Sequence, residues 1–109
     1  MTKIVIQKSK NGEYKGFTCK GHSGFAIRGE DIVCASISVL VINAINSMEK
    51  LAKEDMEITE DETAGMIRCF MKKPLSDRGK ILMDSMILGL SEISDQYGRQ
   101  YLTIKIKEV

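Results

Sequence analysis

Apolar and polar residues alternate along 3–9, which puts Ile4 and Ile6 on one side of an extended segment. The alternation resumes over 13–20. Between these stretches, Asn11-Gly12 is a strong hairpin signal, because both residues tolerate the positive φ of a tight turn. A two-residue turn there sets Ile6 opposite Phe17 and Ile4 opposite Cys19, so both strands present apolar side chains to one face. Residues 21–30 contain three glycines and read as loop. Asp31 then stands as the cap of a long helix over 32–53. Ile32, Val33, Ala35, Ile37, Val39, Leu40, Val41, Ile42, Ala44 and Ile45 make its first half apolar nearly all round, which predicts burial on more than one side. Met48, Glu49, Lys50 and Lys53 make the second half amphipathic.

Residues 56–60 and 65–72 read as a second hairpin around the polar loop Asp61-Glu62-Thr63-Ala64. Pro74 and Ser76 precede a second helix over 77–97. Leu82, Met86, Leu90, Ile93 and Tyr97 recur there at helical spacing, and Gly98 supplies the stop. Residues 101–107 alternate as a final strand. The order is ββαββαβ, an α+β single domain over 1–109 with two helices on one sheet.

At 109 residues the chain is long enough to bury a real core. A net charge of +1 supplies no electrostatic reason to expect direct nucleic-acid binding. Lys3, Lys8, Lys10, Lys15 and Lys20 alternate with apolar positions and read as a solvated strand face. The longest apolar run reads as too short and interrupted to span a bilayer, so no membrane association is expected. Met1-Thr2-Lys3 leads straight into a strand rather than a secretory leader, which makes a cytoplasmic location the expectation. The three cysteines are then expected as free thiols.

The candidate chemistry lies between the second strand and the first helix. His22 is the sole histidine, and Cys34 falls three residues after Asp31. A thiol becomes a good nucleophile when ionised, and a helix N-terminus or a nearby imidazolium favours the thiolate. As third residue of the helix, Cys34 would also keep its N–H free to hold an oxyanion. His22 would take the thiol proton and return it to the leaving amine. Asp31 and Ser38 are supporting candidates, the first through capping or orienting His22, the second from one turn beyond Cys34. Gly21, Gly24 and Gly29 are positioned to hinge a flap over substrate.

Bland alternatives exist for each residue. A cysteine in an apolar helix can simply be packing, and Ser38 can bond back to its own helix. Cys19 and Cys69 fall on apolar strand faces and read as core. Cys19-x-x-His22 with Cys34 and Cys69 could form a zinc site, but Cys34 and Cys69 lack the paired spacing of zinc knuckles. No metal and no cofactor are expected.

These residues resemble the ribosomal-processing cysteine protease family, Prp. Its members carry Gly-His, a variable glycine-bearing loop, then Gly-x-Asp-Ile-Val-Cys-Ala with a serine four residues beyond the cysteine. Here these are Gly21-His22, the stretch through Arg28, Gly29-Glu30-Asp31-Ile32-Val33-Cys34-Ala35, and Ser38. The resemblance implies a cytoplasmic thiol endopeptidase, commonly a homodimer. It would remove the N-terminal extension of a large-subunit ribosomal protein (the L-twenty-seven protein) during ribosome assembly. It implies His22 as general base and Cys34 as nucleophile, with Asp31 and Ser38 in support. The competing functions are a non-catalytic ribosome-associated interaction module and a thiol hydrolase of small esters.

Overall fold

The computed structural model describes residues 1–21 and 30–109, and the side chains of all of these except 30 and 31. The first hairpin joins β1 (Thr2–Lys8) to β2 (Tyr14–Lys20). Its turn is longer than expected. The Ser9 N–H donates to the Glu13 carbonyl at 2.8 Å, and the Gly12 N–H returns to the Ser9 carbonyl at 2.9 Å. Lys10, Asn11 and Gly12 thus form a three-residue loop, with Gly12 at φ 83 supplying the left-handed residue it needs. That extra residue would slip the register by one and turn every side chain to the wrong face. A bulge corrects it: Gln7 pairs Gly16 while Lys8 pairs Tyr14, leaving Lys15 without a counterpart. Beyond the bulge Ile6 faces Phe17 and Ile4 faces Cys19, the expected pairing.

The second hairpin consists of β3 (Met56–Asp61) and β4 (Met66–Met71), and β5 (Leu102–Glu108) closes the chain. The five strands form one sheet in the order β3-β4-β2-β1-β5, with β1 and β5 parallel and the other pairs antiparallel. Ile4, Ile6, Phe17, Cys19, Cys69 and Met71 turn inward from the strands. Val33, Ile37, Val41, Met83, Met86 and Leu90 meet them from the helices in one buried cluster. Each such large side chain contributes about 1.5–3 kcal/mol by leaving water.

Helix α2 spans Asp77–Tyr97, as its periodicity predicts. Ser76 caps it, accepting from the Gly79 N–H at 3.4 Å. The Glu54 carboxylate accepts from the Ser76 N–H at 3.0 Å, an anion at the positive end of the helix. Helix α1 spans Glu30–Lys50, which differs from expectation at both ends. It stops before Lys53 because Lys53 turns left-handed, at φ 56, and the Glu54 N–H folds back to the Met48 carbonyl at 2.9 Å. Gly89 lets the two helices approach, since a Cβ there would lie 2.9 Å from Leu40 Cδ1.

Burial of α1 on more than one side is not what the chain adopts. Val33, Ile37, Val41 and Met48 are buried, but Ile32, Ala35, Val39 and Ile42 form an exposed stripe, with Val39 66% exposed. Ile32–Lys50 is 19 residues long and contains an 18-residue stretch with a mean hydropathy of 1.6, long and apolar enough to cross a membrane. The apolar run is therefore not too short, as its interruptions suggested. In this fold the helix spends its inner face on the sheet.

Candidate active site

The two halves of the candidate site come from adjacent elements. β2 ends at Lys20, and Gly21 continues its pairing by donating to the Gly65 carbonyl at 3.1 Å. Gly21 holds φ 97, and a Cβ would lie 2.2 Å from the Met1 carbonyl oxygen, so only glycine fits where the chain leaves the sheet. His22, Gly24 and Gly29 lie outside the described residues, as do the side chain of Asp31 and the flap that Gly21, Gly24 and Gly29 would hinge.

The chain re-enters at α1, two residues earlier than expected. Glu30 is its first residue, so Asp31 belongs to the first turn rather than the cap, and Cys34 lies four residues past the start. In the i to i−4 ladder the Cys34 N–H is directed at the Glu30 carbonyl. The free donors of the helix mouth are those up to Ile32, and Cys34 does not keep its own. Two acidic residues in the first turn suit the positive end of the helix. The Cys34 side chain leans towards that end, as helical side chains do, which carries the sulfur back over the mouth.

The three thiols have different surroundings. Cys34 is half-buried, whereas Cys19 and Cys69 are only 3% and 2% exposed. Burial, and secondarily the neighbouring Cys34, push the Cys19 thiol from its ordinary 9.0 up to about 11. Cys34 is thus within electrostatic reach of Cys19, and its helix neighbours Val33 and Ile37 share the buried core with Cys19, so the first turns of α1 pack near the end of β2. Burial, then the charge of Glu49, push Cys69 up to about 12. Its thiol donates to the Met56 sulfur at 3.6 Å. In the register Cys69 faces Phe17 and Cys19 faces Ile67, so these two thiols are not cross-strand partners. Ser38 is half-buried one turn after Cys34. Among the described residues, no group of three metal-ligating side chains comes together.

A raised thiol pKa makes the folded state hold its proton more tightly than the unfolded chain. The resulting stability is intact below pH 9 and is lost as the pH rises through the range of about 11 to 12 where Cys19 and Cys69 ionise in the folded protein. Urea midpoints measured from pH 7.5 upward should therefore fall beyond pH 9. In the variant Cys69→Val that decline should be shallower.

A family model described as Cysteine protease Prp matches residues 1–102. The ribosomal processing cysteine protease Prp of Bacillus subtilis is 27% identical over 101 residues, covering 89% of this chain and 90% of the relative. Its Staphylococcus aureus counterpart is 24% identical over 97 residues, covering 89% and 92%. Among solved structures, a Streptococcus mutans protein superposes with a TM-score of 0.89 at 24% identity, covering 100% of this chain and 99% of that one. The Staphylococcus aureus Prp structure with a covalently linked product peptide superposes with a TM-score of 0.87 at 22% identity, covering 98% and 100%.

Proposed function

Because the chain belongs to the Prp family of cysteine proteases, we infer that its peptide-bond hydrolysis runs through Cys34 as nucleophile and His22 as general base. One observation carries the assignment: of three thiols, Cys34 alone escapes full burial, and it does so at the mouth of α1 beside the end of β2. The thiolate attacks the scissile carbonyl, and free N–H groups of the helix mouth receive the developing oxyanion. His22 protonates the departing amine, and water then releases the acyl group from sulfur. Asp31 and Ser38 support the pair from the same two turns. Gly21, Gly24 and Gly29 hinge the segment between β2 and α1 over the bound peptide.

The substrate is the N-terminal extension of the large-subunit ribosomal protein L-twenty-seven, removed in the cytoplasm during ribosome assembly. Curated relatives across nearly the whole chain are named for ribosomal processing, which supports this choice. The working form is a homodimer. The exposed stripe Ile32, Ala35, Val39 and Ile42 supports it, since these residues recur at the three- and four-residue steps of a helix seam.

Incubation with the unprocessed ribosomal protein, followed by mass spectrometry, tests the reading. A single cut that shortens the precursor at its N-terminus is expected. An intact precursor, with small thioesters turned over instead, would favour the small-ester hydrolase. No turnover of either would favour the interaction module.

A further inference from the structure

The sheet face turned away from the helices has a charge pattern that the net charge conceals. Registers fix its three rows. Across β5, β1, β2 and β4 they run Thr103-Lys3-Lys20-Met66, then Lys105-Val5-Thr18-Arg68, then Lys107-Gln7-Gly16-Phe70. These four strands place five cations and no carboxylate on that face. Glu57 and Asp61 appear only on the edge strand β3. The whole chain has 16 basic and 15 acidic residues, so the face is segregated rather than typical.

Edge protection explains part of this. Lysines on an edge strand discourage pairing with other chains, which accounts for Lys105 and Lys107 on β5. It does not account for Lys3, Lys20 and Arg68 on interior strands. Lys3 stands directly opposite Lys20, a like-charge pair that weakens a sheet unless an anion offsets it. Nor do most of these cations find acids nearby: among the described residues, the salt bridges are Lys15 with Glu13 and Lys73 with Asp55.

Phe70 stands on the same face, 53% exposed. Covering Gly16, its cross-strand partner, explains its position but not its exposed ring area. Beside it is a depression of about 520 Å³, lined by Gln7, Lys15, Thr18, Glu57, Arg68 and Phe70 among others. Glu57 is the partner of Phe70 on the edge side, while Arg68 and the lysines lie on its other sides. An exposed aromatic ring bordered by cations on an open sheet combines base stacking with backbone neutralisation. Cations two residues apart on a strand are about 6.8 Å apart, comparable to the phosphate step of an extended nucleic-acid strand.

We propose that this face binds single-stranded RNA, with Phe70 stacking on a base and Lys3, Arg68, Lys105 and Lys107 contacting phosphates. The charge balance of +1 argued against nucleic acid, but that balance averages an acidic hairpin edge with a basic sheet. A protease docked this way would be held on a ribonucleoprotein while its opposite side cuts peptide.

Fluorescence anisotropy with labelled oligouridylate of about twelve nucleotides tests this, at salt from about 50 to 200 mM. Saturable binding is expected, weakening roughly 20- to 130-fold over that salt range for three to five phosphate contacts. Phe70→Ala should weaken it about 5- to 150-fold. Arg68→Glu with Lys105→Glu should weaken it further and flatten the salt dependence. Urea midpoints and peptide cleavage in these variants should match the parent, which separates loss of RNA binding from loss of fold or of catalysis. Four results would overturn the proposal. They are absence of saturable binding at the lowest salt, equal binding of polyglutamate, tighter binding of duplex RNA, and variants that change oligomeric state while keeping RNA affinity.

Discussion

Cys34→Ala should lower kcat/KM for the precursor at least about 10³-fold, the scale seen when a covalent nucleophile is removed. Cys34→Ser should fall nearly as far, because a hydroxyl at the same helix mouth stays protonated at neutral pH. The control is chemical as well as structural. Cys19→Ala and Cys69→Ala remove buried thiols whose pKa values are pushed up to about 11 and 12, so neither supplies thiolate at neutral pH. Those variants should keep turnover per folded molecule and instead lose about 1 kcal/mol of stability. Parallel measurement of cleavage and urea midpoint separates the two effects. Equal loss of cleavage in all three variants would show that cleavage follows folding and not the Cys34 sulfur.

Much of the fold was legible because its signals are local. Alternation marked the strands, helical spacing marked α2 to its terminal residues, and Ser76 and Gly98 punctuated it. The Ile6–Phe17 pairing was legible although its turn was not. A three-residue loop and the unpaired Lys15 offset each other, and nothing in the composition of 13–20 marks that bulge. The ends of α1 were misread for related reasons. Asp31 is a good cap residue and an equally good first-turn residue, so its presence does not fix which of the two it is. Lys53 terminates the helix through a left-handed backbone that side-chain patterning does not announce.

The site was legible in its chemistry and less so in its wiring. Cys34 and its chain neighbourhood are visible in sequence, but its proximity to Cys19 depends on how α1 lies over β2. The exposed stripe on α1 was hidden for the opposite reason. An all-round apolar pattern shows that a helix has several apolar faces, not which of them its own chain covers. The basic sheet face was the least legible, since it exists only when four strands are put in register. Taken singly, each lysine there is an ordinary solvated residue.

His22→Ala should reduce kcat/KM about 10²- to 10⁴-fold, the usual contribution of positioned acid–base catalysis. Chemical rescue is more informative than the size of the loss. Added imidazole should restore part of the activity of His22→Ala, because a free base can carry the proton that the missing side chain carried. The double variant of His22 and Cys34 should be no worse than Cys34→Ala alone, because a general base with no nucleophile to serve contributes little. Additive losses would mean that His22 binds substrate independently of the sulfur. The structural basis is the closeness of two chain ends. Gly21 is fixed by its hydrogen bond to Gly65 at the end of β2, and Cys34 is within electrostatic reach of Cys19, two residues earlier, while Val33 beside it packs into the same core as Cys19.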